Sequence, residues 1–223
     1  MSRHISPYHA PGFYQDALAK GRHRDIVGGR WEETGRVQMA LLVDAGLAPQ
    51  HVLLDIGAGS LRLGCKAVPY LDPGNYWATD MSGALLRKGY DAEITDKARL
   101  PREHLVEDKT FEFVGIPASV THAIAFAVFT HLPMNFLRRA LISVHGRFPK
   151  LDLFLFTVFL APDATSSLLP VRQPDGAVTH DTRAPYHMLE EDVRHLCAAS
   201  GFEVARDARR LPRGQVLFVA RRR

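Results

Sequence analysis

Two aspartates, each closing a predicted strand, flank a glycine-rich turn and form the most informative constellation in this chain. Asp55 ends the apolar run Val52-Leu53-Leu54, and after Ile56 comes Gly57-Ala58-Gly59-Ser60-Leu61-Arg62. Asp80 ends Tyr76-Trp77-Ala78-Thr79, about 20 residues past the glycines; nucleotide-binding folds place an acid on ribose hydroxyls at that separation. Gly57 and Gly59 let the backbone turn tightly and approach a ligand where a Cβ would obstruct it. A carboxylate at Asp55 suits a cationic group such as an ammonium and repels a pyrophosphate. Further along, His131 follows an apolar run and His187 stands beside Tyr186, so these are candidate proton-handling groups. The plainer reading, glycines that merely close a turn, is disfavoured because both acids stand at strand ends with matching spacing.

Such groups need a rigid frame, and the surrounding pattern supplies one. Strands are predicted at Val52 to Asp55, Tyr76 to Asp80, Leu105 to Glu107, Thr121 to Val128 and Leu151 to Phe159. Helices alternate with them: Cys65 to Leu71, a helix capped by Ser82 and closed at Gly89, and Leu132 to Gly146 with Pro133 in its first turn. A polar loop, 160–188, precedes a helix over Leu189 to Ser200 and two closely spaced strands, Phe202 to Ala205 and Gln215 to Ala220. An extension, 1–33, carries a short helix at Tyr14 to Lys20 and a Gly- and Arg-bearing loop; a helix then runs from Thr34 to Gly46. Apolar strands alternating with amphipathic helices predict an α/β, Rossmann-like, doubly wound seven-stranded sheet, mostly parallel with an antiparallel C-terminal hairpin. The expected organisation is a single domain over 1–223, with the extension as a lid and 34–223 as the core.

Composition narrows the class. At 46% hydrophobic and 23% charged residues, the chain matches a soluble globular protein. No apolar run approaches the ~20 residues of a membrane span. Met1 to Phe13 lacks a signal-peptide core, and Cys65 and Cys197 stand far apart. A metal site or disulfide framework is therefore not expected, and the cytoplasm is the expected compartment. The net charge of +4 gathers at Arg206, Arg209, Arg210, Arg213 and Arg221 to Arg223 without interleaved aromatics. That reads as a solvated edge and tail rather than a nucleic-acid surface.

The dinucleotide fingerprint would put its third glycine at position 62, where this chain has Arg62. With Asp55, this favours S-adenosylmethionine (SAM) over a nicotinamide dinucleotide. The run Asp55 to Gly64 resembles motif I of class I SAM-dependent methyltransferases in the form D-I-G-x-G-S-L-R-x-G. Tyr76 to Ser82 resembles their second motif, and Ala125 to Pro133 resembles a fourth-strand motif often written S-V-F-T-H-L-P. Val27 to Trp31 and Gly201-Phe202 are similar to segments of a bacterial branch, and the likeness spans roughly 23–160 and 185–220.

The resemblance implies SAM as cofactor and S-adenosylhomocysteine as product. Gly57 and Gly59, with Ala58 between them, would line the methionine part, and Asp55 would hold its amino group directly or through water. Asp80 would bind the ribose and Met81 pack near the adenine. Asp108 would be the adenine-side polar residue, or else a plain loop acid, with Glu107 the neighbouring choice. Phe126 and Ala127 would face the methyl group. Arg62 would lie beside the cofactor carboxylate or make a salt bridge at a helix start. Leu61 and Ala127 depart from the common Gly and Ser of the family.

Methyl transfer from a sulfonium is an in-line displacement in which orientation does much of the work, and a base is needed only where the nucleophile carries a proton. His131, Tyr186 and His187 are the catalytic candidates, against a structural role for each; Tyr14, His23, Arg24 and Trp31 are candidate lid residues. No D/N-P-P-Y/F motif follows the fourth strand, which favours a small-molecule O or N acceptor, natural products included, over a nucleobase. The alternatives are a SAM-binding protein of this fold acting on protein or RNA, one without methyl transfer, and, third, an NAD-dependent oxidoreductase. Oligomeric state is not legible.

Overall fold

A computed structural model describes residues 5–223; the first four residues of the extension lie outside the described residues. The chain divides into two compact units.

One unit comprises residues 12–124 and 147–151. It contains α1 (Phe13–Ala19), α2 (Trp31–Asp44), β1 (Leu53–Ile56), α3 (Gly64–Tyr70), β2 (Tyr76–Asp80), α4 (Gly83–Glu93), β3 (Leu105–Glu107) and most of β4 (His122–Ala125). β1 runs parallel to both β2 and β4, with Asp55 level with Ala78 and Ile124, and β2 pairs in parallel with β3. Every residue of β1 and β4 is buried, as the near-continuous apolar runs require for strands covered on both faces. α2 starts at Trp31, three residues before the predicted Thr34, with Glu32 and Glu33 in its first turn, where acids complement the helix dipole.

Ser82 caps α4 as predicted, its side chain accepting from Leu85 N at 3.2 Å. Gly89 does not close that helix, which continues to Glu93. Gly89 sits against the backbone of Ser60, and a Cβ there would lie 2.3 Å from the Ser60 carbonyl oxygen. Close packing explains this glycine.

The other unit comprises residues up to Pro11, 125–146 and 152–223. It contains α5 (Met134–Arg147, all but its last residue), β5 (Leu153–Leu160), β6 (Val171–Arg172), β7 (Val178–Thr179), β8 (His187–Met188), α6 (Glu190–Ala199), β9 (Phe202–Arg206) and β10 (Val216–Arg222). β10 pairs antiparallel with both β5 and β9. Its core is aromatic: Phe156 stacks on Phe218 with centroids 5.7 Å apart and meets Phe129 edge-on at 6.0 Å. The predicted loop 160–188 carries two additions, an antiparallel β6–β7 hairpin and a two-residue parallel pairing of β8 with β5.

In the first unit the strands lie in the order β3-β2-β1-β4, and in the second in the order β5-β10-β9 with β8 joined to β5. The fold is thus α/β and mostly parallel, with an antiparallel C-terminal hairpin. The winding reverses between β1 and β4, the switch point outside whose carboxyl ends open α/β sheets bind ligands. Among the described residues, no helix is long and apolar enough to cross a membrane, and no group of three or more His, Cys, Asp or Glu is placed to hold a metal ion.

Candidate functional site

The glycine-rich turn leaves β1 in a left-handed bend. Gly57 has φ 70°, Gly59 59° and Leu61 64°, conformations that favour glycine and are rare for other residues. The N–H groups of Gly57 and Ala58 both donate to the Thr79 carbonyl, at 2.8 and 2.9 Å, which ties the turn to the end of β2. Gly59 tolerates no side chain: a Cβ would lie 2.5 Å from Val27 Cγ1.

Both aspartates are buried and anchored. Asp80, 8% exposed, accepts from Gly59 N at Oδ2 and from Ser82 N at Oδ1, each at 2.9 Å. Asp55, 2% exposed, accepts at Oδ2 from the Tyr76 hydroxyl at 2.7 Å. Burial raises Asp55 to about 7 against the pull of Tyr76 and Arg62, with Asp80 adding to the rise. Burial likewise raises Asp80 to about 6, opposed by the N–H groups of Ser82 and Gly59. Tyr76 was not singled out by sequence reasoning. Its position at the start of β2 reads as a core aromatic, and burial holds its hydroxyl protonated as a donor.

Arg62 is engaged by polar groups of the chain itself. Its guanidinium, on a residue 8% exposed, donates from Nη1 to the carbonyls of Val27 (2.7 Å) and Gly29 (3.3 Å), and from Nε to Gln38 Oε1 (3.4 Å). Residues 22–30 thereby form a strap across the turn. Ser60 Oγ donates to the His23 carbonyl at 2.8 Å. Glu93, at the end of α4, receives Arg24 through Nε at 2.8 Å and Nη2 at 2.6 Å, and meets His23 Nε2 at 2.7 Å. Arg24 also lies over the Trp31 ring, 5.0 Å from its centroid. His23, Arg24 and Trp31 thus gather at the strap, while Tyr14 lies in α1.

Met81 is half-buried beside Asp80. The Asp108 carboxylate accepts from the N–H groups of Thr110 and Glu112 at Oδ1 and of Phe113 at Oδ2, so it shapes its own loop. Glu107 accepts from Gly83 N at 3.1 Å and pairs with Lys109.

In the other unit, strand four ends early because Ala127 turns left-handed at φ 60°. Its N–H donates to Thr157 Oγ1 at 2.8 Å and its carbonyl accepts from Thr130 Oγ1 at 3.0 Å. Phe126 is buried beside it. His131 packs edge-on against Tyr8 at 4.9 Å. Burial, then the charge of Arg213, lowers its pKa to about 4, so the ring is neutral at neutral pH. The Tyr186 hydroxyl donates to the Ile5 carbonyl at 2.9 Å, and Tyr186 N to the Thr130 carbonyl. His187 is buried with both ring nitrogens engaged, Nδ1 at Thr179 Oγ1 and Nε2 at the Ser167 carbonyl, each at 2.9 Å.

No protein-family model matches the chain. Solved structures do. A magnesium protoporphyrin IX methyltransferase from Synechocystis PCC 6803, with bound SAM, matches at TM-score 0.65 and 16% identity over 97% of this chain and 94% of its own. The 1,6-didemethyltoxoflavin-N1-methyltransferase of Burkholderia thailandensis, with its namesake substrate and S-adenosylhomocysteine bound, matches at TM-score 0.62 and 20% identity over 96% and 90%. An amino pentose methyltransferase from Micromonospora echinaspora, bound to SAM, matches at TM-score 0.60 and 16% identity over 94% and 97%. In its backbone architecture, the chain has the Rossmann-like fold of these SAM-binding methyltransferases.

Proposed function

We propose that the chain is a SAM-dependent methyltransferase whose acceptor is a small molecule methylated at oxygen or nitrogen. One observation carries the reading: two buried carboxylates at successive strand ends, raised to about 7 and about 6, beside a left-handed glycine turn. Such a pair is stabilised by a cationic ligand and disfavours a diphosphate. SAM fits the donor set. A carboxylate offers about four acceptor positions; two on Asp80 hold backbone N–H groups, which leaves capacity for the two ribose hydroxyls. Asp55 keeps acceptor capacity beyond its bond to Tyr76, suited to an ammonium.

SAM supplies an electrophilic methyl group on a sulfonium. Asp55 would hold its amino group and Asp80 its ribose, while Gly57, Ala58 and Gly59 allow close backbone approach. Arg62 acts indirectly, fastening the strap that caps the turn. Met81 serves the adenine side, and Asp108 supports it by shaping its loop. Phe126 and Ala127 are assigned to the acceptor side on the family resemblance. His131, a weak base at about 4, serves there as a neutral hydrogen-bonding ring, and Tyr186 and His187 brace the loop they end. Positioning then dominates the chemistry, within the ~7–11 kcal/mol available from proximity. The neighbours named for magnesium protoporphyrin IX, 1,6-didemethyltoxoflavin and an amino pentose support a small-molecule acceptor.

Calorimetric titration with SAM, S-adenosylhomocysteine and NAD tests the cofactor, and labelled SAM with a panel of phenols, amines and heterocycles tests transfer. Tight binding of the adenosyl compounds alone is expected. Binding of NAD in their place would overturn the assignment, and adenosyl binding with no labelled product from any acceptor would leave a binding protein instead.

A further inference from the structure

The hydrogen bond that holds the Ala127 N–H begins a short relay through Thr157 to Gln215. A backbone N–H can only donate, so Thr157 Oγ1 accepts from Ala127. Thr157 is fully buried and its hydroxyl proton has no other acceptor among the described residues, so that proton goes to Gln215 Oε1, 2.6 Å away. A side-chain amide has one oxygen and one NH2 group, and with the oxygen committed to Thr157 the NH2 occupies the opposite branch. That nitrogen has no hydrogen-bond partner among the described residues. Neither is it sealed off: among the described residues, His23 Nδ1 is the one buried side-chain nitrogen or oxygen left without a partner. Gln215 as a whole is only 7% exposed, and Thr157 is fully buried. A nine-tenths buried side chain therefore presents an oriented, unspent donor pair to accessible space.

We infer that Gln215 is a specificity-determining residue for the methyl acceptor, donating from Nε2 to a carbonyl or carboxylate oxygen of that molecule. Thr157 is the positioning residue that sets the amide's direction. The inference rests on the methyl-transfer reading, because the relay begins at Ala127, in the segment assigned to the acceptor side. The same loop carries positive charge toward that segment, since Arg213 is close enough to His131 to depress its protonation. Both features favour an electron-rich oxygen over a hydrocarbon or a cation. The left-handed Ala127 fits this role: such backbone strain persists where surrounding bonds over-determine it, and residues of this kind cluster at functional sites.

The test compares para-hydroxyacetophenone with the near-isosteric para-isopropylphenol, titrated by saturation-transfer NMR against the full chain with and without S-adenosylhomocysteine. The wild type should prefer the ketone by about 2- to 12-fold, the worth of one neutral hydrogen bond. Gln215→Leu should abolish the preference, Thr157→Val should erode it, and Thr157→Ser, which keeps the hydroxyl, should retain it. Gln215→Met, matched in length, repeats the test if the leucine variant misfolds. A preference that survives loss of the amide overturns the inference. So does a wild type without the preference, including one that takes up neither probe. SAM affinity is read separately: its absence in the wild type would remove the methyltransferase reading, while discrimination at Gln215 is still measured on the cofactor-free protein.

Discussion

The Asp55→Asn variant should make the ligand-free protein stronger and the ligand-bound protein weaker, because one carboxylate acts in opposite directions on the two. Burial raises Asp55 from 3.8 to about 7 against the pull of Tyr76 and Arg62. Folding thus increases this group's hold on a proton. The associated stability is complete below the unfolded-state value and is lost as pH rises through about 7. At about 1.4 kcal/mol per pKa unit the loss is at most on the order of 4 kcal/mol, shared with Asp80, which titrates beside it. Asparagine keeps an oxygen for the Tyr76 hydroxyl and carries no charge. Between about pH 5 and about pH 8, calorimetric melting of the ligand-free protein should therefore move in the variant's favour. SAM should bind the wild type more tightly from about pH 6 to about pH 7.5, as Asp55 ionises and before the ligand's α-amino group begins to lose its proton near 8. Near pH 7.5 the variant should bind about 10- to 150-fold more weakly, the range for a hydrogen bond to a charged group. A variant that melts in step with the wild type across the range, or that binds SAM as tightly, refutes the reasoning.

Three further outcomes follow from the same geometry. Gly89→Ala drives a methyl group into the Ser60 backbone and should destabilise the fold by about 1–3 kcal/mol while weakening SAM binding, read by melting and calorimetry; a neutral substitution would contradict the packing described. Arg62→Met removes the donors to Val27 and Gly29, and trypsin should then cut the strap at Arg22, Arg24 or Arg30 several-fold faster, with equal rates counting against Arg62 as its fastener. Glu93 is held below the usual carboxylate range chiefly by its bond to Arg24. Its contribution is therefore present above the unfolded-state value and lost as pH falls through the folded one. Glu93→Gln should cost about 1 kcal/mol in urea unfolding at neutral pH, modest because Arg24 is half-exposed, and that deficit should close as pH falls through the folded-state value of Glu93.

Much of this was legible because strands buried on both faces and helices amphipathic on one leave unmistakable periods. The span of β2, the Ser82 cap and the C-terminal antiparallel pair all follow from local pattern. What escaped the sequence depends on tertiary distance. Gly89 reads as a helix stop until Ser60 is known to lie against it. Ala127 looks like one more apolar strand residue, and only the hydroxyls of Thr130 and Thr157 reveal the bend there. His187 reads as a reactive ring beside a tyrosine, yet Thr179 and Ser167 occupy both of its nitrogens. Arg62 registered as a broken fingerprint; its carbonyl partners lie more than thirty positions upstream, beyond any periodicity.

The strap's fastening has a kinetic implication. Its bonds to Ser60 and Arg62 end on the glycine bend itself, so peeling residues 22–30 away disturbs the backbone that would grip a nucleoside. Escape of a bound molecule and loosening of its seat become a single event. Residence time, and with it the ceiling on turnover wherever departure is slowest, would then be governed by a few carbonyl attachments well removed from the reacting atoms.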